Sequence, residues 1–181
     1  MKAKKTLYNG YEFRSKLEAK WAVFFDLCGI RYDYEPEAFI CNDGSQYTPD
    51  FFLPDVYLRY KTNKGVYIEI KPEYFNDNEY CNRVSSSVNS LILLVGDPVY
   101  STDMTNYPNL ELAPHYDDYM ILMFCDHCGL YKFDYFEGSY YYCPLCDNVL
   151  IDGGMYNSPI KANALQARKH RFEYVKLNQQ P

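Results

Sequence analysis

Long apolar runs are missing from this chain. The longest, Leu91 to Val95 and Met120 to Phe124, fall far short of the roughly 20 residues that a membrane-crossing helix needs, so no membrane segment is expected. The lysines at positions 2, 4 and 5 lead into no apolar stretch, so no export leader is expected either and the reading is a cytoplasmic protein. Internal repeats and low-complexity tracts are also lacking, which excludes a solenoid or a compositionally disordered chain. Positive charge is scarce in one region. Residues 73 to 160 hold 2 Lys and Arg against 13 Asp and Glu, and such a stretch cannot be a general phosphate-binding surface. The net charge of -6 arises there, because residues 1 to 72 hold 11 basic against 10 acidic side chains and residues 161 to 181 hold 5 against 1. Any nucleic-acid footprint is therefore localised, with Lys161, Arg168, Lys169, Arg171 and Lys176 as candidates.

What is present suits a folded chain. With 181 residues, 48% of them apolar, it can bury a core, and the length fits one domain plus a small appendage. Of the seven cysteines, four stand in two-residue pairs, a spacing that favours metal ligation in a reducing compartment over disulfides. Cys28, Cys41 and Cys81 are left to pack as small hydrophobes.

The clearest element is a helix over residues 15 to 28. Leu17, Trp21, Phe24, Phe25 and Cys28 recur as one apolar stripe, Ser15 is placed as N-cap and Gly29 as the stop. Arg31 to Glu35, Ala38 to Cys41 and Gln46 to Leu53 read as strands, with a turn at Asn42-Asp43-Gly44 and Pro54 as terminator. After a turn at Thr62-Asn63-Lys64-Gly65, the run from Val66 to Lys71 alternates, so Glu69 and Lys71 share a face opposite Val66, Ile68 and Ile70. A weak helix over Glu79 to Ser90 and a buried strand Leu91 to Val95 complete an α/β order of α-β-β-β-α-β. Residues 97 to 118 read as a polar connection, and Tyr119 to Phe124 as a strand feeding the first cysteine pair.

Three carboxylates and a lysine in this order point to phosphodiester hydrolysis. That reaction needs a polarised phosphate, an activated water and charge compensation for the leaving oxygen, which one or two divalent cations supply. Hard cations take oxygen ligands, so Asp50, Glu69 and the Ile70 carbonyl are candidates for one ion and Glu18 for a second ion or its waters. Lys71 is placed to orient the attacking water or offset developing charge. Plainer readings stand beside these. Ser15-Lys16-Leu17-Glu18 also matches a capping box, and Glu69 with Lys71 also matches an ion pair on an exposed strand face.

Pro49-Asp50, followed after 18 residues by Glu69-Ile70-Lys71 and preceded by the helix bearing Glu18, resembles the PD-(D/E)xK nucleases of the restriction-endonuclease-like fold. The fuller pattern adds Phe13-Arg14-Ser15, Gly29-Ile30, Tyr34-Glu35, Tyr47-Thr48 and Leu53-Pro54; it is similar to phage-encoded endonucleases, the junction-resolving kind among them, over about residues 8 to 96. The resemblance implies Mg2+ or Mn2+ on Asp50 and Glu69 with help from Glu18, Lys71 as the catalytic lysine, DNA as substrate and, for a phage protein, a host-cell cytoplasm. Glu35 matches an acidic position of that pattern loosely and also reads as a surface carboxylate before Pro36. Arg14 joins Arg168, Lys169 and Arg171 as a candidate DNA contact. Pro72 departs from the pattern by following Lys71, where it removes a backbone donor and predicts an abrupt strand end.

Cys125-x-x-Cys128 and Cys143-x-x-Cys146, 14 residues apart, read as a zinc ribbon. Both thiolates of a pair reach one tetrahedral ion, residues 130 to 142 supply the hairpin between them, and four cysteines leave no place for a catalytic water, so the zinc is structural. His127 reads as solvent-facing. Tyr131, Phe133, Tyr135, Phe136, Tyr140, Tyr141 and Tyr142 either stack on bases or cover a small sheet. A last helix from Ile160 to about Val175, with Ala162, Leu165 and Phe172 as its apolar members, sets Arg168, Lys169 and Arg171 near its end, where they either meet phosphate or complement the helix dipole. The expected layout is a nuclease core over 1–118, a ribbon over 119–157 and a basic helix over 158–181. The rival is an interaction protein using a nuclease scaffold and the acidic ribbon to bind a host or phage protein. RNA as substrate and a homodimer both stay open.

Overall fold

A computed structural model describes residues 4–58, 64–72, 75, 77–88, 90–98, 120–135, 140–152 and 158–172. A hairpin of β1 (Thr6–Tyr8) and β2 (Tyr11–Phe13) leads into helix α1 (Lys16–Cys28). Ser15 caps it, its hydroxyl accepting from the Glu18 N–H at 3.1 Å. Gly29, at a φ of 69°, ends it while the Ile30 N–H bonds back to the Phe25 carbonyl. The helix buries Trp21, Ala22, Phe24 and Phe25, as the stripe requires.

Seven strands form one mixed sheet. They are β3 (Asp33–Tyr34), β6 (Phe51–Leu58), β7 (Lys64–Lys71), β8 (Leu91–Val95), β9 (Met120–Phe124), β10 (Tyr131–Tyr135) and β11 (Ile151–Asp152). The order is β11-β9-β10-β6-β7-β8, with β3 also on β6. A separate hairpin joins β4 (Phe39–Ile40) to β5 (Gln46–Tyr47) around the expected turn. Helix α2 (Asn78–Ser85) precedes β8, and α3 (Pro159–Lys169) ends the described chain.

The alternation along β6 and β7 sorts side chains between two faces. Phe51, Leu53, Val66, Ile68, Ile70, Ile92 and Leu94 join α1 and the buried face of α3, Ile160, Ala164 and Ala167, in the main core. Tyr67 and Leu91 point the other way, against Cys41, Tyr47, Val84 and Val88. Val66 needs its partner Leu53 close by, and Gly65, at a φ of 110°, makes that approach possible because a Cβ there would lie 3.0 Å from the Phe52 ring.

Four expectations need correction. Pro54 does not end its strand: β6 continues to Leu58 through a bulge between Leu53 and Tyr57, a position where the missing proline N–H costs no ladder bond. Gln46–Tyr47 is a strand of its own, β5. The hairpin at the first cysteine pair is β9 with β10, where the expectation put it over 130 to 142, of which residues 136–139 lie outside the described residues, and β10 runs parallel to β6 at Tyr57 and Leu58. In α3 the buried face is Ile160, Ala164 and Ala167, whereas Leu165 is exposed. Strand β7 does end at Lys71, before Pro72. The Thr62-Asn63 part of the predicted turn, residues 99 to 118, Phe136 and the chain after Phe172 lie outside the described residues. Among the described residues, no helix is long and apolar enough to cross a membrane.

Candidate active site and metal centre

Where β6 and β7 begin to part, their side chains meet the N-terminal turn of α1. Asp50, just before β6, is 2% exposed, Glu69 on β7 is 3% exposed and Glu18 in the first turn of α1 is 7% exposed. Buried carboxylates at this depth need partners. They line one cleft of about 480 Å³ together with Arg14, Gln46, Tyr47, Thr48, Ile70, Lys71, Tyr80 and Arg83. Four residues singled out from the sequence, Glu18, Asp50, Glu69 and Lys71, are thus brought together. The candidate DNA contacts Arg168, Lys169 and Arg171 are exposed near the end of α3 and do not line it.

The partners are specific. The Ile70 N–H donates to Asp50 Oδ2 at 2.7 Å, and the Arg14 guanidinium pairs with Asp50 Oδ1. Burial, then the nearby Glu69 and Glu18 charges, push the Asp50 carboxyl up to about 8, outweighing the Ile70 N–H and Arg14, which hold it down. Glu69 accepts from Tyr47 Oη at 2.8 Å and from Tyr80 Oη, and Lys71 Nζ lies 2.6 Å from its Oε1. The Lys71 ammonium also sits 4.2 Å from the centre of the Tyr80 ring. Burial followed by the Glu69 charge drives the Tyr47 phenol far above its ordinary range, so it stays a donor.

Glu18 resolves one of the open readings in part. Ser15 caps its N–H, but its carboxylate bonds to the Tyr34 hydroxyl at 2.7 Å and to the Arg14 N–H at 3.2 Å. The carboxylate is therefore turned toward the cleft. Glu35 lies beside it, its carboxylate 2.9 Å from Arg14 Nε and its backbone, at a φ of 47°, in a region rare for such a residue.

Tyr34, Tyr80 and Arg83 take part without having been picked as site residues. Tyr34 and Tyr47 stand inside the motif runs, so adjacency to an acid was the available signal. Tyr80 and Arg83 stand on α2, whose pattern carries no mark of a site.

The second centre is built from thiols. The Sγ atoms of Cys125, Cys128, Cys143 and Cys146 all lie within 4.8 Å of one another, with Cys125 to Cys146 and Cys128 to Cys143 at 3.5 Å. Zinc–sulfur bonds of about 2.3 Å in a tetrahedron place sulfurs about 3.8 Å apart, so this donor set fits a zinc ion. Both pairs use the same turn. The Cys125 carbonyl accepts from Gly129 and its N–H bonds to Leu130; Cys143 does the same with Asp147 and Asn148. Gly129 and Asp147 both take positive φ, 74° and 59°. The Asn148 side-chain amide, 3.3 Å from Cys146 Sγ, and then its backbone N–H lower that thiol to about 6, favouring the thiolate a metal needs. His127 is exposed and outside the cluster. Among the described residues, these cysteines are the one set of three or more acidic, His or Cys groups placed to hold a metal ion together.

No protein-family model, curated protein or solved structure matches this chain.

Of the aromatics in this segment, Tyr131 and Phe133 are buried in the main core and cover the sheet, while Tyr140 and Tyr142 are exposed beside Leu145 and Val149.

Proposed function

We propose that the protein is a metal-dependent nuclease of restriction-endonuclease-like type that hydrolyses DNA phosphodiester bonds. The observation that carries this reading is the convergence of Glu18, Asp50, Glu69 and Lys71 on one cleft, three buried carboxylates and a lysine drawn from α1, the residue before β6, and β7. Buried acids that crowd one another are costly, and a divalent cation relieves that cost. The oxygen donors suit Mg2+ or Mn2+, with Asp50 and Glu69 as holders and Glu18 beside them. Such an ion, when bound, polarises the phosphate and lowers the pKa of a bound water.

The chain's own groups supply the rest. Tyr47 and Tyr80 fix the rotamer of Glu69 from both oxygens, so the carboxylate is set before any ligand arrives. The Ile70 N–H does the same for Asp50. Lys71, held by Glu69 and the Tyr80 ring, presents its ammonium to the cleft, where it offsets charge on the phosphate or orients the attacking water. Arg83, beside the Tyr80 ring and bonded to Ser45, adds a cation to the same wall for a flanking phosphate.

The zinc fits as structural, since four thiolates leave no open position. A second reading, a surface for another protein, is favoured by the exposed Tyr140, Tyr142, Leu145 and Val149 near the second cysteine pair. Incubating the protein with linear, nicked, single-stranded and branched DNA, and with RNA, with and without Mg2+, separates these readings. Metal-dependent cuts in DNA are expected, and intact DNA in every Mg2+ reaction would remove the nuclease reading.

A further inference from the structure

We infer that Arg14 is an internal counter-cation, occupying the place of a divalent ion and yielding it when substrate arrives. This rests on the nuclease reading of the cleft. One guanidinium is shared among three carboxylates: it pairs with Asp50 Oδ1, its Nε lies 2.9 Å from Glu35 Oε1 and 3.9 Å from Glu18 Oε2. Asp50 is almost wholly buried, yet the Arg14 side chain is 52% exposed, so the cation stands on the open side of the acid that would hold the metal. Arg14 therefore competes with an ion for Asp50 Oδ1.

Arg14 is also free to leave. Its backbone is fixed by bonds from its N–H to Glu18 and to the Tyr34 hydroxyl just before α1, whereas its half-exposed guanidinium is held at the rim only by carboxylates, Asp50 and Glu35, that an incoming phosphate can replace. Displaced into the cleft, the guanidinium fork can bond a phosphate through two N–H groups, whereas it meets Asp50 through Oδ1 alone, Oδ2 being taken by the Ile70 N–H. Metal and phosphate binding are then coupled through one side chain. A phosphate that draws Arg14 away frees Asp50 for the ion, and by linkage the ion that displaces Arg14 favours the phosphate. Lys71 does not take this part, because its ammonium pairs with Glu69 and not Asp50, and its side chain is only 20% exposed.

The test is a calorimetric Mn2+ titration of the full chain without nucleic acid, in wild type, Arg14→Met, Arg14→Gln and Asp50→Asn. Arg14→Met and Arg14→Gln should bind Mn2+ about tenfold more tightly than wild type, and Asp50→Asn should lose that binding. If wild type binds through Asp50 and neither Arg14 variant binds more tightly, the counter-cation role is overturned while the metal site stands. If no variant shows Asp50-dependent binding, the metal site falls and Arg14's role with it. A Ca2+ titration with a saturating 20-base-pair DNA duplex supplies a second readout. The duplex should tighten Ca2+ binding in wild type and leave Arg14→Met unchanged, whereas equal tightening in both, or none in wild type, would overturn the coupling.

Discussion

The cleft and the cysteine cluster both gather groups suited to a metal, but only the cleft carries its own replacement charges. Asp50 is paired with Arg14 and Glu69 with Lys71, so part of the acidic charge is offset before any ion binds. The four thiols have a hydrogen-bond donor in Asn148, and no Lys or Arg of the described residues is paired with them. A site with part of its charge offset can exchange its ion without unfolding, whereas the thiolate set needs its ion to hold two turns together. The first arrangement suits chemistry, the second architecture.

The sharpest way to break that contrast is to remove a thiolate. Cys143→Ser, or chelation of the metal, should lower the melting temperature by about 10 °C or more, since structural zinc contributes folding free energy outright. The variant should retain most cleavage at low temperature, because β10 joins β6 at Tyr57, seven residues and about 20 Å along the strand from Asp50. Elemental analysis should find one zinc per chain in the wild type, and finding none would remove the architectural half of the contrast.

Next in size is Lys71→Ala, which should cut turnover about 10²-fold with little change in DNA affinity if the ammonium offsets transition-state charge. An affinity loss alone would make Lys71 a plain phosphate contact. Glu18→Gln should be milder. The amide oxygen can still accept from Tyr34 and Arg14, and the Ser15 cap is untouched, so the melting temperature should hold while cleavage falls about tenfold. Wild-type rates would return Glu18 to a purely local role.

The smallest effect concerns pH. Burial and its acidic neighbours raise the Asp50 carboxyl from about 4 when unfolded to about 8 when folded. Its contribution is therefore fully present below the unfolded value and is lost as pH rises through the folded one. Metal-free wild type should lose more melting temperature between pH 5 and 9 than Asp50→Asn, a difference of several degrees that Mg2+ should reduce. Parallel curves for the two proteins would show that burial does not strain Asp50.

How much was legible in the sequence follows the range of the interactions involved. Helix α1 was readable because its stripe, Ser15 cap and Gly29 stop act within a few residues, and the alternation on β7 placed Glu69 with Lys71 for the same reason. The cysteine cluster was readable from two local spacings. The parallel pairing of β10 with β6 was not, because Lys132 and Tyr57 meet with no intervening pattern to announce it. Nor was the passage of β6 through Pro54, since a bulge depends on the partner strand. In the cleft the acids and lysine stood out, while the groups that restrain them did not: Tyr80 comes from a helix with few apolar residues, and Arg14, readable only as a DNA contact, rests on Asp50.

The measurement that tests the central claim most directly is single-turnover cleavage of end-labelled DNA by wild type and Glu69→Gln, across a Mg2+ titration. Glu69→Gln keeps an oxygen for one of Tyr47 and Tyr80 and turns its amide N–H to the other, whose hydroxyl can accept it, but loses the charge, so the protein should stay folded and cut about 10³-fold more slowly. Cutting at the wild-type rate, with the same Mg2+ dependence, would contradict the account.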